Sequence, residues 1–381
     1  MTYLYLDDED EAALGPFVRD IPSFVDGLKI RHEPPVGYRG QLAALEDASF
    51  NGLILDMRLD EYPNWKVDGE QADYRAATLA QELRTRATET IAKGETTDLE
   101  VPIVLWSSEE KLRASYMRDD TSHDLFDLKC VKGDLGEEAY AREVAAQLVA
   151  LADGYREIIT WRNESQHPRL PSLLGLEDHD FLDERLVQWF AGRPKLPAHE
   201  YARFLLQGVI NIPGPLIDRR TLAARLGVDL ERSPGFDSLV ASHFAGAAYG
   251  GTFGRGWPRW WAALVEAAWR TLDAEAGPLR KLTAEQRAEV LRRHGAEDIE
   301  PATPLREEYS SAFWTLCQGT SRPLDPRDGF VLDGVGRYPW ETSQYVSIQA
   351  YLTREADQKN LRVSPLERGR FERARHALAR P

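Results

Sequence analysis

Over residues 1 to 152, short apolar runs alternate with longer amphipathic stretches, the pattern of a parallel sheet wrapped by helices. The runs are Tyr3 to Leu6, Leu28 to Ile30, Gly52 to Leu55, Val101 to Trp106 and Leu128 to Val131, and they predict five strands. Helical periodicity covers Arg39 to Ala48 and Gln71 to Ala92. In the stretch Glu137 to Ala152, residues Ala141, Val144, Leu148 and Leu151 form one stripe behind an acidic first turn, which predicts an amphipathic helix. The pattern closes near Asp153-Gly154. This is the signature of an α/β domain with a flavodoxin-like, five-stranded parallel sheet.

From about residue 155 the texture changes, with Trp, Arg and Ala frequent and period-2 strands scarce. Pro and Gly punctuate this region, as at Pro213-Gly214-Pro215 and Pro234-Gly235, so its helices should be short to medium. Helices are expected over Asp180 to Ala191, His199 to Leu206, Arg219 to Leu226, Trp257 to Ala274, Ala284 to His294, Arg306 to Cys317 and Pro365 to Ala379. Gly329 to Glu341 looks like an aromatic-bearing hairpin suited to a contact surface. The expected division is a domain over 1–155 and a mainly α-helical domain over 156–381, separable where the apolar pattern is interrupted between 153 and 170.

A chain of 381 residues with 43% hydrophobic residues has material for two cores at roughly 150 residues per domain. The formal charge of -15 is carried by one end: residues 1 to 150 hold 31 acidic and 16 basic residues, and the remainder holds 31 of each. Acidic surface argues against the first region gripping nucleic acid, because affinity for a phosphate backbone comes mainly from Lys and Arg. No run approaches the roughly 18 apolar residues of a membrane span, and the opening segment turns acidic at once. Two cysteines, Cys130 and Cys317, are too few for a disulfide framework. A cytoplasmic protein with no membrane contact is expected.

The chemistry lies at the predicted strand ends. Asp7 and Asp8 follow the first strand and Asp56 follows the third. In a doubly wound parallel sheet all three carboxylates arrive at the carboxyl edge, where such folds bind ligands. Converging carboxylates repel unless a hard cation sits between them, and Mg2+ is the usual one. Ser107, after the fourth run, offers a hydroxyl to a phosphoryl oxygen, and a lysine after the fifth can offset developing negative charge.

Taken in order, LDDED, LILDMRL, VPIVLWSS and VKGD resemble the receiver domain of bacterial two-component response regulators, over about residues 1 to 152. The resemblance implies that Asp56 accepts a phosphoryl group from a histidine kinase or phosphotransfer protein, with Mg2+ as cofactor. It further implies that Asp7, Asp8, Asp56 and the backbone carbonyl of Arg58 hold the metal, and that Ser107 is the switch hydroxyl. Lys132, in Lys132-Gly133-Asp134 before the last helix, fits the family's lysine best, with Lys129 as its competitor. This chain departs from the family in a longer span between Asp56 and Ser107, with an insertion at Asp60 to Asp68, and in the bulk of Trp106. The degenerate alternative is an unphosphorylated receiver acting as a docking module.

The second region offers weaker signals. Arg219 to Val228 resembles the first helix and turn of a helix-turn-helix, but Ser233-Pro234-Gly235 falls where a recognition helix should run and the region lacks net positive charge. An ordinary amphipathic helix capped by Gly227 is favoured. Gly246 to Gly256 lacks the ending of a phosphate loop. Cys317 with His243 or His294 is a thiol-and-base combination, set against a buried small hydrophobe. Three outputs are weighed: a protein-interaction or effector module with its own protein partner is favoured, a DNA-binding regulator using Arg219, Arg220, Arg225 and Arg232 is second, and an enzyme with a pocket near Cys317 or Gly246 is third. Beyond self-phosphorylation of the receiver, no enzymatic activity is expected.

Overall fold

The computed structural model describes residues 1–9, 14–61, 72–108, 124–164, 170–177, 179–190, 195–334 and 338–378. Five parallel strands form one sheet: β1 (Thr2–Leu6), β2 (Lys29–Glu33), β3 (Gly52–Asp56), β4 (Ile103–Ser107) and β5 (Leu128–Val131), in the order β2-β1-β3-β4-β5. The central strands are covered on both faces: β3 and β4 are buried at every residue and β1 at all but its first. The edge strands β2 and β5 include exposed positions, Lys29, Arg31 and Lys129. Continuous apolar runs are what a parallel sheet between helical layers demands. This order reverses direction between β1 and β3, the place where doubly wound sheets open a crevice at the strands' carboxyl ends.

Helices α1 (Tyr38–Asp47) and α2 (Ala76–Ala92) pack on one face, where Leu4, Leu6, Leu53, Leu55, Ile103 and Leu105 meet Leu42, Leu45, Leu79 and Leu83. Helix α3 (Glu138–Glu164) is tied to β1, with the Tyr3 hydroxyl donating to the Leu148 carbonyl at 2.6 Å. Instead of ending near Ala152, α3 continues for three further turns, burying Tyr155, Ile158 and Arg162. Arg162 there makes a two-pronged ion pair with Glu100, both contacts 2.7 Å, and Glu100 also accepts from the Ala198 amide. Gly154, which reads as a stop, is required by packing: a Cβ there would lie 2.2 Å from the Phe253 ring.

Two compact units result. The first takes Met1–Asp178, Val187–Gly208 and Gly250–Trp257, and therefore runs past residue 155; the second takes His179–Leu186, Val209–Tyr249 and Pro258–Pro381. Helix α4 (Ala198–Leu205) belongs to the first unit.

The second unit is mainly helical, with α5 (Arg219–Leu226), α6 (Phe236–His243), α7 (Ala262–Leu272), α8 (Ala284–Arg293) and α9 (Arg368–Leu378), joined by two- and three-residue antiparallel ladders. One core gathers Leu222, Leu226, Phe236, Val265, Trp269 and Leu291. Another gathers Cys317, Leu324, Phe330, Val346, Ile348 and Phe371.

Several expected elements differ. Arg306 to Cys317 is not a helix, because its amides find partners elsewhere: Ser310 N donates to Asp328, and Trp314 N and Cys317 N to the carbonyls of Leu324 and Arg322. Helix Asp180 to Ala191 shrinks to Glu184–Val187 and a 3-10 turn over Gln188–Phe190, starting late because the Asp183 carboxylate caps the Arg185 amide. Trp257 to Ala274 becomes helical only at Ala262, since Trp260–Trp261 pairs with Leu216–Ile217. The strand Gly329–Val331 pairs with Tyr345–Ser347 rather than within 329–341. Helix α6 forms where the sequence pattern predicts none. Much of the 60–68 insertion, including Trp65, and the segment from Glu109 lie outside the described residues.

Candidate functional site

The carboxyl edge of the sheet brings together Asp7, Asp8, Asp56, Ser107 and Lys132. Asp7 and Asp8 extend β1, Asp56 ends β3, Ser107 ends β4, and Lys132 opens the 3-10 turn Lys132–Gly136 after β5. Asp7, Asp56 and Ser107 are almost wholly buried and Asp8 nearly so. The Lys132 ammonium donates to Asp7 Oδ2 at 2.6 Å and stands 2.9 Å from Asp56 Oδ1, with Glu9 Oε1 at 3.7 Å. Burial alone would lower the lysine's pKa, but the carboxylates of Asp56 and Asp7 outweigh it and raise it. Lys129, by contrast, lies on β5 opposite Leu105 and is exposed.

Asp7 and Asp56 are also held by the backbone. The Glu9 amide donates to Asp7 Oδ1 at 2.9 Å and the Arg58 amide to Asp56 Oδ2 at 2.9 Å. The Arg58 side chain turns away to a two-pronged pair with Asp60, at 2.7 and 3.2 Å. The Ser107 hydroxyl is buried and finds no hydrogen-bond partner among the described residues, an arrangement that costs free energy unless something else satisfies it.

Two contributors, Tyr5 and His32, escape a reading of the linear sequence, and a third, Trp106, stands out in it only by its bulk. The Tyr5 hydroxyl donates to Asp7 Oδ2, and burial first, then the charge of Asp7, pushes its pKa up. A signal for it exists in the sequence: period 2 along β1 puts Tyr5 and Asp7 on one face. His32 Nε2 meets the Asp7 carbonyl oxygen at 3.1 Å. Trp106 is fully buried, edge-on to Tyr5 with centroids 5.2 Å apart and beside Phe17 at 6.0 Å. The bulk of Trp106 thus backs the tyrosine that holds Asp7.

The donor set consists of hard oxygens, the chemistry Mg2+ takes. Three carboxylates against one ammonium leave a formal -2 around the site, which suits a divalent cation. As the side chains stand, Lys132 supplies the counter-charge between Asp7 and Asp56, and no three acidic, His or Cys side chains among the described residues close on one point. The residues fit the ion in donor type and charge.

In the second unit, His243 Nε2 meets the His294 carbonyl and His294 pairs with Asp273, whereas the Cys317 sulfur meets Ser347 Oγ at 3.3 Å. No Cys–His pair forms among the described residues. Of the four arginines considered for DNA, Arg219 pairs with Asp237 and Arg232 with Asp229, and Arg225 is buried. Helix α5 ends at Gly227 in the left-handed region (φ 73°), and α6 begins only at Phe236. Among the described residues no helix is long and apolar enough to cross a membrane.

No protein-family model matches the sequence, and no curated protein matches it. Among solved structures, a response regulator receiver domain protein from Clostridium thermocellum is 13% identical, covering 38% of this chain and 92% of its own, with a TM-score of 0.23. RcsB from Salmonella enterica serovar Typhimurium, bound to promoter rprA in the presence of the phosphomimetic BeF3-, is 11% identical, covering 55% of this chain and 94% of its own, with a TM-score of 0.24. The first unit resembles a receiver domain in its strand order and in the residues gathered at its carboxyl edge. The second unit matches no family.

Proposed function

We propose that the first unit accepts a phosphoryl group on Asp56 and that its phosphorylation state controls the second unit, which serves as a protein-interaction or effector module. The observation that supports this reading is the position of the Lys132 ammonium, 2.9 Å from Asp56 Oδ1 and 2.6 Å from Asp7 Oδ2, at the edge that also carries the buried Ser107 hydroxyl. An Asp56 oxygen attacks the phosphorus of a phosphohistidine or acyl phosphate, and the donor's imidazole or carboxylate leaves. Lys132 offsets the negative charge that collects on the phosphoryl oxygens, and Ser107 turns to donate to one of them. Asp7, Asp8, Asp56 and the Arg58 carbonyl would hold Mg2+, which supplies the remaining counter-charge. The natural donor is a histidine kinase or phosphotransfer protein.

A second reading, a constitutive docking module, is favoured by one feature. Tyr5 and Lys132 already satisfy Asp7 without a cation or a phosphoryl group. One experiment separates the two: the full chain is incubated with acetyl phosphate and Mg2+ and its intact mass is measured. Wild type should gain one phosphoryl mass and Asp56→Asn none, while Lys132→Ala still takes up the label. No gain by wild type establishes the docking module, and label on Asp60 overturns the choice of acceptor.

A further inference from the structure

Arg225, near the end of α5, is 7% exposed, yet among the described residues no carboxylate lies within ion-pair distance of it. Its Nε donates to the Trp314 carbonyl at 3.2 Å and its guanidinium lies 4.5 Å from the Trp314 ring centre. A second cation, Arg280, approaches the same ring at 5.4 Å. Burial first, and then Arg280, push the Arg225 pKa down to about 10 against the pull of Glu266. A guanidinium held out of water without an anion is costly. Arg287, fully buried, turns its Nε and one terminal nitrogen to the carbonyls of Leu279, Ala224, Arg225 and Phe313 and lines no such cleft.

Arg225 also lines a cleft of about 650 Å³ within the second unit, inside the range of small-molecule sites. Arg220 lines the same cleft and is exposed, with no ion pair among the described residues. Two acids share the lining. Asp218, the N-cap of α5, accepts from the Thr221 amide at 2.7 Å, and Glu341 also lines the cleft; against these two carboxylates stand three guanidiniums, Arg220, Arg225 and Arg259. Ile212, Trp314 and Leu316 add apolar surface. The lining therefore carries one formal positive charge in excess, which draws an anion, and an organic group has apolar surface to lie on.

We propose that this cleft binds a small phosphate-bearing organic molecule, its phosphate held by Arg220 and Arg225. Two guanidinium forks match a group with several equivalent oxygens better than they match a single carboxylate. The site is lined by the second unit alone.

The test is calorimetric titration of the full chain with AMP, pyrophosphate, inorganic phosphate and, as the uncharged control, adenosine. AMP should bind saturably, pyrophosphate or phosphate should compete with it, and adenosine should bind far more weakly. Arg220→Gln, an exposed position, should weaken AMP about tenfold or more, and Arg225→Gln should abolish binding. If Arg225→Gln does not fold, Arg220→Gln decides. The proposal falls if none of the three anions binds at about 10 mM, if adenosine equals AMP, or if Arg220→Gln leaves the affinity unchanged.

Discussion

The buried arginines of the first unit meet carboxylates, whereas those of the second meet carbonyls and an aromatic ring. Arg84 donates to Asp127 at 2.7 Å and Arg162 forks onto Glu100, and Lys132 repeats the pattern at the sheet edge. Arg287 and Arg225 make no ion pair among the described residues, and burial pushes both pKa values down to about 10. Charge in the first unit is cancelled locally, so a new charge on Asp56 must displace an existing pair, the condition for a switch. Charge in the second unit is left partly uncancelled, the condition for capturing an anion.

The largest test of this contrast is Glu100→Ala. It strands the Arg162 cation among buried groups, and thermal or denaturant unfolding should show a loss of about 3–5 kcal/mol. Replacing both partners with apolar residues should cost less than that single change. Arg287→Met should cost less, about 1–3 kcal/mol, because it removes hydrogen bonds to carbonyls and leaves no charge behind. If Arg287→Met proves the more damaging of the two, the contrast is wrong.

The smallest effect is a pH dependence confined to the first unit. His199 is pushed down to about 2, by burial first and then by Arg84 and Arg203, with Glu200 nearby at 3.8 Å. It stays neutral in the fold and takes a proton in the unfolded chain below its ordinary value near 6.5. Its contribution is therefore whole above that value and lost as pH falls, by up to about 1.4 kcal/mol per pH unit. Denaturant midpoints measured between pH 7 and 5 should show this slope in wild type and a flatter one in His199→Gln.

The five strands and the acids at their ends were legible because each depends on a few consecutive residues. An apolar run of buried-strand length is its own signal, and a residue directly after such a run lands at the sheet's carboxyl edge. For the lysine facing the acids, the resemblance favoured Lys132 but kept Lys129 as its competitor. Lys129 lies within the short run and Lys132 directly after it, and only the turn beginning at Lys132 carries its ammonium to Asp7 and Asp56. The segment from Arg306 to Cys317 misled because its apolar spacing suits a helix, while its amides are claimed by chain many residues away.

What the sequence alone determined about this protein is the parallel sheet, its order of elements and the acidic edge, all consequences of local periodicity and of how strands deliver their last residues. Tertiary structure decided the rest. In the extension of α3 through Gly154, the Phe253 ring takes the space a side chain would fill, and Arg162 pairs with Glu100, which also accepts from the Ala198 amide. Arg225 and Arg287 both look like exposed charges on amphipathic helices when read along the chain. Their burial, one beside a cleft and the other against carbonyls, comes from which neighbours fold over them, and periodicity within a single helix carries no record of that.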